Sequence, residues 1–210
     1  MKIAIVGAGG QGKTALVKRL VSDLKVLSKD ATEVVEYARS YIDACGAPEN
    51  PWEQLEIIQE QLKREKEAQE SYEILVCDIT VWIAAVYASF LTDFTNLKHV
   101  HVLKRIMNVA IDTCHSYDYC FYLPKNFAPM ADKTRMKWRD QYSEGLDRGM
   151  ASIDEMILGY MSLFKVPYIE VDAVDIKERS DFIMSHLSFA NKHNELSDLV
   201  QDSHSEKHNG

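Results

Sequence analysis

The chain has 210 residues, of which 46% are hydrophobic and 27% are charged. This length is enough to bury one sizeable core, and a single α/β domain is a better expectation than two domains. Lys and Arg total 24 against 32 Asp and Glu, so the formal net charge is −8. Because proteins that hold DNA or RNA through its phosphates usually present a basic surface, this charge disfavours nucleic acid as the default partner.

Cysteine usage and hydropathy restrict the setting of the protein. The four cysteines include no CxxC pair, which disfavours a zinc site. Their scattered positions favour a reducing cytoplasm, which would be the host's cytoplasm for a viral protein. No apolar run approaches the roughly 18 residues needed to span a bilayer. The first residues lead directly into a glycine-rich loop, which leaves no room for a signal peptide. We therefore expect a cytoplasmic protein without membrane contact.

Short apolar runs alternate with helical patterns along the chain. Five runs have the length and composition of buried strands: Lys2–Val6, Glu33–Tyr37, Glu73–Cys77, Tyr119–Leu123 and Pro167–Val171. Helices are expected over Thr14–Leu24, Pro51–Ser71, Val81–Leu91, Leu97–Ser116, Leu146–Phe164 and Ile176–Ala190. The second of these helices has Asn50 as its N-cap and Pro51 in its first turn.

This alternation favours a mainly parallel, five-stranded sheet with helices on both faces, which is an α/β fold. Ligands of such sheets bind at the carboxyl ends of the strands. Four residues are expected along that rim: Gly7, Tyr37, Asp78 and Pro124. We expect one domain over residues 1–190, followed by a polar, disordered tail at 191–210.

A glycine-rich motif joins the first strand to the first helix. It matches G-x-x-x-x-G-K-[ST] throughout and consists of Gly7, Ala8, Gly9, Gly10, Gln11, Gly12, Lys13 and Thr14. Its glycines allow the backbone to turn N–H groups towards phosphate oxygens, and the following helix directs the positive end of its dipole at the same anion. Lys13 supplies a charge for the β- and γ-phosphates, and the Thr14 hydroxyl is placed to bind Mg²⁺. A plain strand-to-helix turn would need no Lys-Thr pair.

Asp78 follows the third apolar run directly. An acid in this position has the character of a Walker B residue that holds Mg²⁺, directly or through water. The alternative is that Asp78 caps the next helix, and one carboxylate can serve both purposes.

Glu36 and Arg39 lie near the expected end of the second strand. Glu36 could accept a proton from a substrate hydroxyl during phosphate transfer, and Arg39 could clamp a substrate phosphate or carboxylate. The alternative is a surface ion pair that contributes little. Spacing alone does not choose between the two.

Basic residues cluster between the fourth strand and the next long helix, over Asp132–Arg139. A mobile lid at about 126–148 that brings arginines over the γ-phosphate would supply charge and exclude water. The alternative is a solvated basic helix.

The motif Gly7–Thr14, the segments Val34–Arg39 and Leu75–Asp78, and the basic segment Asp132–Arg139 together resemble the P-loop nucleoside and nucleotide kinases. The resemblance is closest to NadR-type ribosylnicotinamide kinase domains and the ATPase/kinase domains grouped with them, and more distant to thymidylate kinase-like enzymes. It covers Lys2 to Asp172, with one departure, the Ile79-Thr80 pair after the aspartate, where relatives often carry a second acid or a threonine.

The resemblance implies a P-loop NTPase three-layer sandwich with a five-stranded core, and ATP with Mg²⁺ as phosphate donor. It also implies a carboxylate that acts as general base at the end of the second or third strand, a role for which Glu36 and Asp78 are the candidates. The lid arginines that it implies correspond to Arg135 and Arg139. The expected partner is a small nucleoside or nucleotide, and the resemblance leaves room for a homodimer.

Three other functions compete with a small-molecule kinase. A GTPase is disfavoured because the guanine-reading N-K-x-D motif is absent. A regulatory ATPase is disfavoured because too little chain follows the fifth strand for a helical lid domain. A kinase that acts on 5-hydroxymethyluracil in bacteriophage DNA would use the same chemistry, and the basic patch with Trp138 could contact such a substrate, although the net charge argues against a duplex.

Overall fold

The computed structural model describes residues 1–124 and 153–189 of the chain. Five parallel strands form one sheet in the order β2-β3-β1-β4-β5. The strands are β1 (Lys2–Val6), β2 (Ala31–Val34), β3 (Ile74–Asp78), β4 (Tyr119–Tyr122) and β5 (Ile169–Glu170). The expected α/β class with a five-stranded parallel sheet is confirmed.

Helices cover both faces of this sheet. They are α1 (Lys13–Val26), α2 (Tyr37–Cys45), α3 (Pro51–Ser71), α4 (Ile83–Leu91), α5 (Leu97–Thr113), α6 (described over residues 153–164) and α7 (Ile176–His186). Successive side chains of β1 enter opposite cores, because side chains alternate along a strand. Ile3 and Ile5 pack with α1 and α7, whereas Ala4 and Val6 pack with the core that α3 to α6 complete. The molecule therefore has three layers.

Helix α3 begins as its sequence predicts. The Asn50 side chain accepts a hydrogen bond from the Glu53 main-chain N–H, and the Glu53 carboxylate accepts one from the Asn50 N–H, which forms a capping box with Pro51 in the first turn. The predicted end at Ser71 is also confirmed. Other boundaries differ by a few residues from the prediction: α5 ends at Thr113 and α7 at His186.

The prediction of a second strand at Glu33–Tyr37 is wrong in its position. The strand begins at Ala31 and ends at Val34, and Tyr37 opens α2, a helix that the sequence did not predict. Glu36 is therefore the N-cap residue of α2 rather than part of a strand, and its side chain makes no capping hydrogen bond. Instead, the Gln61 side-chain oxygen of α3 accepts the Tyr37 N–H at 2.9 Å. A helix start that is satisfied by a residue from another element carries no local sequence signal.

The predicted lid at about 126–148, with Arg135 and Arg139, and the tail at 191–210 lie outside the described residues. Within the described ranges, no helix has both the length and the hydrophobicity required to cross a membrane.

Candidate functional site

The loop between β1 and α1 adopts a conformation that depends on its glycines. Gly7, Gly10 and Gly12 have positive φ angles of 145°, 86° and 80°, a region that other residues rarely enter. A Cβ on Gly7 would lie 2.5 Å from the Leu123 carbonyl oxygen of the chain after β4. Both the backbone conformation and the close approach of neighbouring backbone therefore require glycine at this position.

Lys13, the first residue of α1, lies across this loop. Its ammonium donates hydrogen bonds to the carbonyl oxygens of Gly7 at 2.9 Å and Ala8 at 2.8 Å, and the residue is only 7% exposed. A largely buried cation at a helix N-terminus produces a strongly positive environment, which suits a polyphosphate.

Thr14 and Asp78 meet where β1 and β3 end side by side. The Thr14 hydroxyl donates a hydrogen bond to Asp78 Oδ2, and Asp78 is 2% exposed. Its second oxygen, Oδ1, is buried without a hydrogen-bond partner among the described residues. Because a buried carboxylate oxygen normally has a partner, this atom is suited to a ligand.

Mg²⁺ fits this pair of side chains chemically. It prefers oxygen ligands and is usually held by one or two protein groups together with waters and substrate phosphates. Within the described part of the chain, no group of three or more His, Cys, Asp or Glu side chains converges on a metal position. The Thr14 hydroxyl and the Asp78 carboxylate could serve as two such protein oxygen ligands.

Glu36 and Arg39 are connected to the loop rather than to each other alone. Arg39 Nη2 donates to Thr14 Oγ1 at 3.1 Å and lies 4.0 Å from Glu36 Oε2. The Glu36 side chain is 14% exposed and that of Arg39 is 38% exposed. The geometry contains the Glu36–Arg39 ion pair and adds one contact to it, because the arginine also reaches the threonine of the loop.

A cleft opens beside the loop, on the α3 and α4 side of the sheet. It has a volume of about 340 Å³ including the space at its mouth. Its walls are Glu36, Ala38, Gln54, Ile57, Ile58, Gln61, Ile79, Thr80, Val81, Ile83, Ala84 and Tyr87. The lining is mainly apolar with a few polar groups, which is the usual character of a small-molecule site.

The sequence reasoning missed the polar groups of this cleft. Gln54 and Gln61 are 6% and 4% exposed and stand two turns apart on the buried face of α3, where Ile57 and Ile58 also lie. Amides at helical spacing within an apolar stripe are the signal that could have found them. Thr80 Oγ1 is buried without a hydrogen-bond partner among the described residues, and only the fold shows that it faces this space.

The backbone directly after Asp78 is strained. Ile79 has a φ angle of 82°, and a positive φ is a genuine outlier for a β-branched residue. Strain of this kind persists only where surrounding contacts hold the chain, and it clusters at functional sites.

Arg179 of α7 supports the loop from the other side. Its Nη1 donates to the Gln11 carbonyl oxygen at 2.7 Å and its Nε to the Ala173 carbonyl oxygen at 2.6 Å. The residue is 3% exposed, and burial lowers the pKa of its guanidinium. Nothing in the sequence links Arg179 to Gln11, because 168 residues separate them.

The structure thus brings Lys13, Thr14, Asp78, Glu36 and Arg39 to one edge of the sheet. The sheet order and the loop between β1 and α1 define a P-loop α/β protein. A family model described as AAA domain matches residues 2–179, and the chain belongs to this family.

Solved structures share the fold. NadR, solved in complex with NAD and AMP-PNP, is 16% identical, with a TM-score of 0.62 over 88% of this chain and 48% of that chain. Thymidylate kinase from Ehrlichia chaffeensis is 15% identical, with a TM-score of 0.57 over 90% of this chain and 98% of that one. Deoxyadenosine kinase from M. mycoides is 19% identical, with a TM-score of 0.53 over 88% of this chain and 97% of that one. No curated protein sequence matches the chain. The resemblance to the P-loop nucleoside and nucleotide kinases is confirmed at the level of the fold.

Proposed function

We propose that the protein is an ATP-dependent kinase, a P-loop phosphotransferase that passes the γ-phosphate to a hydroxyl or phosphate of a nucleoside- or nucleotide-like small molecule. One observation carries the proposal. Glu36 lines the cleft and is linked through Arg39 to Thr14 of the phosphate loop. A carboxylate thus lies where the phosphate-binding loop and the cleft adjoin.

The donor side is assigned to the loop. Its N–H groups and the α1 N-terminus would surround the phosphates, and Lys13, already held over the loop at Gly7 and Ala8, would add its charge. Thr14 and Asp78 would hold Mg²⁺, which when bound neutralises charge on the phosphate oxygens. Positioning and electrostatic stabilisation account for most catalysis of phosphoryl transfer.

The acceptor side is assigned to Glu36 and Arg39. As the acceptor oxygen forms its bond to the γ-phosphorus and the bond to ADP breaks, the acceptor proton would pass to the Glu36 carboxylate. Arg39, which reaches Thr14 Oγ1, would orient the glutamate and the incoming group together.

The cleft favours transfer to an organic acceptor over simple hydrolysis. Water needs no binding surface, whereas apolar walls with Gln54, Gln61 and Thr80 suit a ring that carries hydrogen-bonding edges. The cleft contains Glu36 but neither Lys nor Arg among its described lining residues. These walls suit an acceptor that reacts through a hydroxyl, while Arg39 beside Glu36 would serve an acceptor that carries a phosphate.

A γ-³²P transfer screen tests the proposal. Purified protein would be offered nicotinamide riboside, the common nucleosides, their monophosphates and DNA containing 5-hydroxymethyluracil, with Lys13→Ala as the inactive control. Label on a nucleoside or nucleotide that is lost in Lys13→Ala supports the proposal. Label on the DNA alone would instead identify a base kinase, and ATP hydrolysis without transfer to any acceptor would identify a regulatory ATPase.

A further inference from the structure

A network of polar contacts lies beneath the cleft, one helical turn beyond Gln61 on α3. Lys2 Nζ lies 2.5 Å from Glu65 Oε2, and these side chains are 13% and 3% exposed. The Tyr117 hydroxyl donates to Glu65 Oε1 at 3.0 Å and accepts the Val81 main-chain N–H at 2.9 Å. The Lys2 ammonium also lies 4.2 Å from the centre of the Tyr117 ring. The network joins β1 and α3 to the chain that precedes β4.

Stability alone is a weak explanation for this network. The desolvation of a buried ion pair often offsets its attraction, so that apolar residues of similar size would stabilise the fold as well. Burial, the largest effect, raises the pKa of Glu65, while the Lys2 ammonium and the Tyr117 hydroxyl act in the opposite direction. The contact that remains to be explained is the one from Tyr117 to the main chain of Val81.

Val81 ends the segment Ile79–Val81, which we call the post-β3 segment. It follows Asp78 directly, its three residues line the cleft, and it begins with the strained Ile79. The Ile79 N–H donates to the Ile5 carbonyl oxygen at 3.2 Å, which fixes one end of the segment. The Tyr117 hydroxyl fixes the other end. Contacts on both sides are what a strained backbone requires.

We propose that Tyr117, oriented by Glu65 and Lys2, is a positioning residue that holds the post-β3 segment, so that Asp78 faces the magnesium position and Thr80 faces the cleft. Tyr117 acts through the backbone and is not among the described residues that line the cleft. The effect on turnover rests on the proposed function, whereas the effect on the segment and on Mg²⁺-dependent nucleotide binding does not.

The test compares Tyr117→Phe with Tyr119→Phe in the full-length chain. The two substitutions are matched, because the Tyr119 hydroxyl also accepts a main-chain N–H, that of Ser188, at 3.2 Å. The control differs in the partner, because Ser188 follows α7 and does not belong to the post-β3 segment. Three quantities would be measured: hydrogen exchange at the Val81 amide, the affinity for β,γ-imido-ATP with and without Mg²⁺, and the rate of ATP turnover.

In Tyr117→Phe we expect Val81 exchange to accelerate by about tenfold or more and turnover to fall by about 10- to 100-fold, which is the scale of a small misplacement. Mg²⁺ should raise the affinity for β,γ-imido-ATP by a smaller factor in this variant than in the wild type. The affinity measured without Mg²⁺ should equal that of the wild type, because the phosphate loop is unchanged. Tyr119→Phe should match the wild type in all three. Equal behaviour of the two variants would overturn the proposal.

Glu65→Gln decides the question if Tyr117→Phe does not fold. It keeps an acceptor for the Tyr117 hydroxyl and removes the charge that orients it. We therefore expect Val81 exchange to accelerate, turnover to fall and the effect of Mg²⁺ on nucleotide affinity to decrease, each by roughly threefold. Unchanged exchange and unchanged Mg²⁺ dependence in this variant would refute the role. A wild-type protein that transfers phosphate to no acceptor would refute the proposed function, while the exchange and nucleotide-binding results would still decide the role of Tyr117.

Discussion

Asp78→Asn should separate the function of this residue from its effect on stability. Asp78 is 2% exposed, with one oxygen bonded to Thr14 and the other without a partner among the described residues. The asparagine keeps an oxygen for the Thr14 hydroxyl and removes the buried charge. Because a buried charge without full hydrogen bonding costs more than a neutral amide, we expect the free energy of unfolding without ligand to rise by about 1 kcal/mol.

The rate should move in the opposite direction. Loss of one anionic metal ligand should slow turnover by about 10²- to 10³-fold, which corresponds to about 2.7 to 4 kcal/mol at 1.36 kcal/mol per factor of ten. Stabilisation by ligand should fall as well. At a concentration of 100 Kd, Mg²⁺ with β,γ-imido-ATP stabilises the wild type by about 2.7 kcal/mol, and a 100-fold weaker affinity leaves about 0.4 kcal/mol.

Urea unfolding with and without Mg²⁺ and β,γ-imido-ATP, together with steady-state turnover, measures these effects. Asp154→Asn is a matched control, because Asp154 Oδ2 also accepts a hydroxyl hydrogen bond, from Tyr122 at 2.9 Å, and its Oδ1 is also buried without a partner among the described residues. Only Asp78→Asn should lose turnover and magnesium-dependent stabilisation. If Asp78→Asn retains both, the assignment of this carboxylate to the metal is wrong.

Three further predictions concern the loop, the base and the lid. Glu36→Gln should lower kcat by about 10²- to 10⁴-fold with little change in ATP affinity, and a normal pH–rate profile with normal kcat would exclude Glu36 as the base. Gly7→Ala should lower the free energy of unfolding in urea by about 1 to 3 kcal/mol, because the new Cβ would lie 2.5 Å from the Leu123 carbonyl oxygen and the backbone has a positive φ. Ala8→Gly is the control and should lower the free energy of unfolding by less. Arg135→Ala and Arg139→Ala should each slow turnover by about tenfold or more, and unchanged kcat and KM in the double variant would contradict the lid assignment.

Local features of this protein could be predicted because their causes are local. Gly7, Gly10 and Gly12 of the loop have positive φ angles, which favour glycine, and the Lys-Thr pair that follows is typical of phosphate-binding loops. The capping box at Asn50 depends on two residues three positions apart. The apolar run of β1 is buried on both faces, as expected for a central parallel strand.

Predictions failed or stopped where a contact joins distant parts of the chain. The start of α2 was missed because Gln61, 24 residues further on, accepts the Tyr37 N–H, and because the N-cap residue Glu36 makes no side-chain capping hydrogen bond, so the usual local start signal is absent. The role of Tyr117 is equally hidden, because its hydroxyl meets Glu65 and Val81 across 52 and 36 residues.

The amino-acid sequence by itself determined four of the five strands, most helices and the glycine-rich motif from which a phosphate-bearing ligand is expected, because backbone preferences and hydrophobic periodicity act over a few residues. Tertiary structure alone decided which side chains meet. The strand order β2-β3-β1 places Asp78 against Thr14 across 64 residues and turns Glu36 towards both the loop and the cleft. Such contacts arise from the packing of the sheet and its helices, in which side chains far apart in the sequence are buried together.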